Sequence, residues 1–112
     1  MRIEHVAFTF PKLKIIAAHG GWPWVNLMCA VAINCEHVYL SPDCYLMEGV
    51  GGHGYVEAAN RHDLQDKIMF GSVYPGYSME WAVEYFKSCG IKESLLEKIF
   101  YDNAAKVLSV NN

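Results

Sequence analysis

Three short apolar runs, each followed by a segment of helical character, constrain the fold of this sequence more than any other feature. The runs occupy residues 13–18, 37–41 and 67–70. Apolar and polar side chains alternate little within them, which is typical of parallel strands that are covered on both faces. The repeated order of strand and helix therefore predicts an α/β fold in which about three parallel strands are joined by right-handed helical crossovers.

Helices are predicted over residues 23–35, 55–61 and 79–87, and an initial helix over residues 3–10 precedes the first strand. Residues 92–110 are predicted to form one or two further helices, because apolar residues recur there at a spacing of three to four. The buried stripe predicted for this last segment consists of Leu95, Leu96, Ile99, Phe100, Ala104, Val107 and Leu108.

Composition limits the size of the fold and the classes of partner. The chain has 112 residues, of which 53% are hydrophobic, and this predicts a single domain over residues 1–112. Its 12 acidic and 9 basic side chains give a net charge of -3 without a basic stripe, so a nucleic-acid partner is not expected.

A membrane segment is not expected either. Residues 15–35 carry no charged side chain, but their longest unbroken apolar run, residues 27–33, is far shorter than the roughly 20 residues of a span. The first residues lack the features of a secretion signal, so we expect a cytoplasmic protein. Cys29, Cys35 and the other two cysteines form no C-x-x-C pair, and we expect reduced thiols packed as small apolar groups.

Candidate functional residues follow the predicted strands. In parallel α/β folds, functional groups cluster just past the carboxyl ends of the strands. Those positions here are His19 after the first strand, residues 41–44 after the second and residues 72–74 after the third.

Three segments in order resemble the amidohydrolase-related metal-dependent hydrolases and decarboxylases. Residues 10–21 resemble the region around the sixth barrel strand of that family, and residues 38–40 fit the seventh strand. Residues 67–75 resemble the eighth strand, where the usual run is Gly-Ser-Asp-Tyr-Pro, and residues 98–105 resemble the terminal helix with its Asn-Ala-Ala step. The resemblance implies a partial (β/α) barrel made of the last three βα units, because a TIM-type barrel needs about 250 residues.

The resemblance also implies which site residues this chain retains. Relatives bind a divalent metal of the zinc type through a His-x-His pair, a further histidine and an aspartate after the eighth strand. His19 matches the histidine after the sixth strand, which is a metal ligand or a catalytic acid/base, and it is our catalytic candidate. The aspartate position falls on Val73, which has no lone pair, and no His-x-His occurs. No cofactor is therefore expected in the isolated chain.

Other candidate motifs have plainer interpretations. Residues 49–54 match G-x-G-x-x-G, but they do not directly follow a strand and we interpret them as a glycine-rich loop. Asp43, Cys44, His53 and His62 lack a recognised metal-ligand spacing and are interpreted as independent polar loop residues. Ser72 is interpreted as a turn hydroxyl that bonds to the backbone.

These features lead to three functional hypotheses. The first is a truncated amidohydrolase-like protein that has no independent activity or is one half of a split hydrolase. The second is a non-catalytic interaction module that binds itself or an intact barrel relative. Both expect a homo-oligomer or a complementary barrel chain, because the strand edges and the uncharged helix 23–35 need a cover. The third is a small α/β ligand binder that uses the glycine-rich loop.

Overall fold

Two parallel strands form the sheet in the computed structural model, which describes residues 2–46 and 51–109. Strand β1 (Ile15–Ala18) pairs with strand β2 (Val38–Ser41), with Ile15 opposite Val38 and Ala18 opposite Ser41. Both strands lie within the predicted runs and begin one or two residues later. The predicted α/β class and the parallel pairing are confirmed.

The third predicted strand, residues 67–70, is reduced to one parallel bridge between Leu40 and Ile68. The predicted set of about three parallel strands is thus observed as two regular strands and a third segment that contacts β2 through a single bridge. The carbonyl of Lys67 and the N–H of Met69 bond to Leu40 of β2, but the N–H of Phe70 donates to the carbonyl of Ile99 at 2.9 Å. The carbonyl of Ile68 accepts a hydrogen bond from the side-chain amide of Asn103 at 2.8 Å. The carboxyl-terminal segment thus satisfies groups that a longer strand would have paired with its neighbour.

The described residues contain five α-helices, and short 3₁₀ turns follow both strands. The helices are α1 (Arg2–Thr9), α2 (Val25–Asn34), α3 (His53–Asn60), α4 (Met79–Ser88) and α5 (Asn103–Val107). The turns are His19–Gly21, Asp43–Leu46 and Glu93–Leu95, and one π-helical turn covers Lys98–Asp102. All four helices predicted before residue 92 are present within two residues of their predicted ends.

The carboxyl-terminal segment differs from its prediction. Residues 92–110 contain a 3₁₀ turn, a π-helical turn and the short α5 in place of one or two continuous helices, and Val110 lies outside the described residues. Ile99 and Val107 are buried as predicted, whereas Leu108 is 65% exposed. The assignment of Leu108 to the buried stripe is wrong because α5 ends at Val107, so Leu108 lies past the helical face that packs on the core.

Helix α2 packs on the sheet with one face and presents an uncharged face outward. Val25, Met28, Val31 and Ala32 are buried, whereas the outward positions include Asn26, Leu27, Ala30 and Ile33. The ammonium group of Lys67 donates to the carbonyls of Ala32 and Cys35 at 2.9 and 2.8 Å. A cation is favourable there because the last carbonyls of a helix carry partial negative charge. In the part of the chain described, no helix has the length and apolarity to cross a membrane.

Candidate functional site

His19 and Asp43 meet at the carboxyl edge of the sheet. His19 directly follows β1, Asp43 lies two residues past β2, and the parallel register places Ala18 opposite Ser41. The Nδ1 atom of His19 lies 2.9 Å from Oδ2 and 3.1 Å from Oδ1 of Asp43. The backbone N–H of His19 donates to Oδ2 of the same carboxylate at 3.2 Å. One aspartate therefore holds both the backbone and the ring of the histidine.

The two side chains differ in exposure. The side chain of Asp43 is 9% exposed and that of His19 is 55% exposed. A buried carboxylate is unfavourable without hydrogen-bond donors, and the backbone N–H of His19 supplies one of them. The imidazole consequently has one nitrogen at a buried anion while much of its surface faces solvent.

Left-handed backbone conformations occur after all three strand segments. His19, Asp43 and Val73 have φ angles of 57°, 48° and 58°. This conformation costs a residue with a Cβ atom roughly 1–2 kcal/mol, and such strain often clusters at functional sites. The turns therefore persist because the surrounding packing and hydrogen bonds hold them.

Tyr55 of α3 supports the turn at His19 from the core. Its side chain is fully buried, and its hydroxyl donates to the carbonyl of Gly20 at 3.0 Å and lies 3.4 Å from the carbonyl oxygen of His19. A Cβ atom at Gly20 would lie 2.6 Å from the Tyr55 ring, and Gly20 has a φ of 64°. Burial, followed by the charges of Cys29 and Asp43, raises the pKa of Tyr55, so its hydroxyl stays a donor. Sequence reasoning did not identify Tyr55.

Aromatic rings flank the exposed imidazole. The ring of Tyr45 meets that of His19 edge to face with centroids 5.2 Å apart, and Trp22 stacks on Tyr45 at 4.7 Å. These contacts restrict the orientations that the imidazole can adopt.

The interpretation of Asp43 as an independent loop residue is wrong, because it binds His19. Of the remaining members, His53 and His62 have other partners, whereas Cys44 lies beside Asp43 and bonds to its side chain. His53 faces Glu57 on α3 at 3.6 Å, and His62 contacts the side-chain amide of Gln65 at 3.2 Å. Burial, followed by the neighbouring Asp43, raises the pKa of the Cys44 thiol. The signal that could have identified Asp43 was its position at the same sheet edge as His19.

The end of the third strand segment contacts the turn that contains Asp43. A Cβ atom at Gly71 would lie 3.1 Å from the Cβ atom of Asp43, so a larger residue would press on the carboxylate. The hydroxyl of Ser72 accepts the backbone N–H of Tyr74 at 3.2 Å, which confirms its interpretation as a turn hydroxyl. Val73 is 36% exposed and offers no electron pair.

The glycine-rich motif has a packing role at its last position. Gly49 and Val50 lie outside the described residues, and Gly51 and Gly52 form a turn before α3. A Cβ atom at Gly54 would lie 2.6 Å from the side chain of Val25. Gly54 therefore allows α3 to approach α2 closely, and this contact accounts for it without a bound nucleotide.

Parallel strands joined by a helical crossover, with polar side chains gathered at their carboxyl edge, define an open part of a (β/α) barrel. The chain belongs to the amidohydrolase family, whose family model matches residues 1–110. A crystal structure of an uncharacterised TIM-barrel protein from Bordetella bronchiseptica is similar, with a TM-score of 0.88 and 37% sequence identity. The match covers 96% of this chain and 38% of that protein, so the chain spans well under half of its length. No curated protein matches the chain.

The donor set of the described residues does not fit the metal centre that the family implies. The amidohydrolase family is generally metal-dependent. Within residues 2–46 and 51–109, no three His, Cys, Asp or Glu side chains form a group that could hold a metal ion. A catalytic metal site typically uses three protein ligands, and the His19–Asp43 pair supplies two donors that bind each other.

Proposed function

We propose that this chain contributes the carboxyl-terminal βα units and the His19–Asp43 pair to an amidohydrolase-like barrel and has no hydrolase or decarboxylase activity by itself. The observation that carries the proposal is the donor set at the carboxyl edge. His19 is present and held, whereas Val73 occupies the position at which the resemblance places a metal-binding aspartate. His19 would accept or donate a proton, and Asp43 would orient its ring.

A complementary barrel chain is the proposed partner, which makes the protein one half of a split hydrolase. Among the described residues, β1 pairs with β2 on one side and its other edge carries no strand. Ile16 on β1 is 41% exposed and the nearby Leu13 is 49% exposed. An unpaired parallel strand with exposed apolar side chains is unfavourable in water. A preceding parallel strand from a second chain would cover both features.

The experiment uses the related TIM-barrel protein as the source of the missing strands. The chain is purified alone and together with the part of the Bordetella bronchiseptica protein that lies outside the matched region. Light scattering should detect a one-to-one complex, and an Ile16→Lys variant should weaken it more than the matched surface variant Lys12→Glu. A mixture without any complex would refute the complementary-chain proposal.

The absence of independent activity is tested on the chain alone. After incubation with zinc and gel filtration, mass spectrometry should find well below one zinc ion per chain. A panel of amides, unactivated alkyl esters and aromatic carboxylic acids should show no turnover. Stoichiometric zinc, or turnover that His19→Ala abolishes, would contradict the proposal.

Self-association is the second candidate, and the outward face of α2 favours it. Trp24 is 61% exposed, and Leu27 and Ile33 are 43% and 44% exposed, with no charged residue on the helix. In this case the protein is a non-catalytic interaction module that forms a homo-oligomer. Leu27→Glu should return an oligomer to the monomer, whereas the matched variant Asn34→Glu should not. A monomer at all concentrations would exclude this candidate.

The cellular setting is part of the same proposal. All four cysteines are free thiols, which supports a cytoplasmic location. The net charge of -3 supports the proposal that neither nucleic acid nor an anionic membrane surface is a partner.

A further inference from the structure

We propose that Asp43 is a positioning residue that fixes the neutral imidazole of His19 in one tautomer and makes its Nε2 atom a nucleophile toward activated acyl compounds. This inference goes beyond the proposed function, because it concerns a reaction of the isolated chain that needs no partner. It rests on the geometry of two side chains and on their difference in exposure.

The hydrogen-bond pattern determines the tautomer. The backbone N–H of His19 can only donate, and it does so to the Asp43 carboxylate at 3.2 Å. An ionised carboxylate can only accept, and both of its oxygens lie within 3.1 Å of Nδ1 of His19. The Nδ1 atom must therefore carry the proton. In the neutral ring, the lone pair is then on Nε2.

The difference in burial between the two side chains strengthens the hydrogen bond at Nδ1 and leaves much of the ring exposed to solvent. The side chain of Asp43 is 9% exposed, while 55% of the His19 side chain is exposed. Charge-assisted hydrogen bonds are stronger where water is excluded, and a proton held by the buried carboxylate increases electron density at Nε2. Tyr45 and the backbone turn at Gly20 restrict rotation of the ring. The nucleophilic atom is thus oriented as well as electron-rich.

Diethyl pyrocarbonate is a suitable probe of this reactivity. The Nε2 lone pair attacks a carbonyl carbon, the new N–C bond forms, and the C–O bond to the leaving ethyl carbonate breaks. The Nδ1 proton passes through Asp43 or water to the leaving group, which decomposes to carbon dioxide and ethanol. The product is a neutral carbethoxy-imidazole, so atoms and charge balance.

His53 provides an internal control on the same chain. Its side chain is 56% exposed and also lies near a carboxylate, but that carboxylate belongs to Glu57 and is 72% exposed. The contact also uses Nε2 of His53, at 3.6 Å, so it does not leave that nitrogen free. The two histidines are therefore matched in exposure and in having an acid nearby, but they differ in the ring nitrogen that faces the acid and in the burial of that acid.

The experiment measures the carbethoxylation rate of each histidine at pH 8 by peptide mass spectrometry. His19 should react roughly tenfold faster than His53. Asp43→Asn should reduce the His19 rate toward that of His53, whereas Glu57→Gln should leave it unchanged. Equal rates for His19 and His53 in the unmodified chain would overturn the proposal, as would an unchanged His19 rate in a folded Asp43→Asn variant.

A second measurement keeps the test decisive if Asp43→Asn does not fold. Nitrogen-15 NMR of the unmodified chain reports which ring nitrogen of each histidine carries the proton. The proposal expects the Nδ1–H tautomer at His19, and the Nε2–H tautomer would overturn it. Neither measurement depends on a partner chain. Failure of the proposal on His19 is therefore distinguishable from failure of the proposed split barrel.

Discussion

Replacing Tyr55 with phenylalanine tests whether the turn that carries His19 is held from the core. The change removes one hydroxyl and keeps the ring, which is fully buried and packs against Gly20. The lost hydrogen bond, to the carbonyl of Gly20 at 3.0 Å, is worth about 0.5–1.5 kcal/mol net. Because the bond is buried, the carbonyl loses its partner without gaining water. We therefore expect a loss of about 1–2 kcal/mol in the free energy of unfolding.

Thermal unfolding followed by circular dichroism measures this loss. For a chain of this length, 1 kcal/mol corresponds to about 4 °C in Tm, so Tyr55→Phe should lower Tm by about 4–8 °C. Protein concentration is kept constant, because any association would shift Tm. Tyr39→Phe is the matched control, since Tyr39 is half-buried and its hydroxyl makes no hydrogen bond within the described residues, so the change should alter Tm little. Equal stability of Tyr55→Phe and the unmodified chain would refute the support that we assign to Tyr55.

Three further outcomes follow from individual contacts. Asn103→Ala removes two 2.8 Å hydrogen bonds to backbone carbonyls and should lower the free energy of unfolding by about 2 kcal/mol in urea titrations. Gly71→Ala places a methyl group 3.1 Å from Asp43, so it should cost about 1 kcal/mol and slow carbethoxylation of His19. Because burial and Asp43 raise the pKa of Cys44, its alkylation by iodoacetamide should accelerate only above the usual thiol range. Asp43→Asn should shift that rate profile to lower pH.

The sequence predicts the strands and the first four helices because local patterns determine them. Apolar runs without alternation indicated β1 and β2, and helical spacing indicated α2 and α4. The third predicted strand is reduced to a single bridge for a non-local reason. The N–H of Phe70 bonds to Ile99 and the carbonyl of Ile68 to the side chain of Asn103, and such contacts across some 30 residues leave no trace in a local pattern.

The site was predicted in part for the same reason. His19 became a candidate because parallel strands place their following residues at one edge, and the same rule placed residues 41–44 nearby. The rule does not say which side chain turns toward which. That choice depends on left-handed backbone at His19 and Asp43, a conformation that non-glycine residues adopt rarely and that their identity does not predict. Tyr55 was missed because a buried tyrosine in a helix is ordinarily only part of a core.

The backbone conformation of Val73 is unfavourable for its side chain, and this allows a last prediction. Valine is β-branched and strongly disfavoured at its φ of 58°, whereas aspartate and asparagine tolerate this region. Val73 is also 36% exposed, so replacing it forfeits little burial. We therefore expect Val73→Asp and Val73→Asn both to be at least as stable as the unmodified chain, with a gain of up to about 1 kcal/mol.

Comparing the two variants separates the effect of backbone conformation on stability from the effect of the added negative charge. If both raise the urea midpoint, the turn after the third strand segment is built for a short polar side chain and valine is tolerated there against the backbone preference. If both lower it by more than about 1 kcal/mol, packing of the valine side chain outweighs the strain and our assignment of strain is wrong. A gain for Val73→Asn alone would show that the negative charge of the Asp43 carboxylate lies within reach of position 73 and disfavours a second acid there. The carboxyl edge would then hold one acid but resist a second without a cation between them.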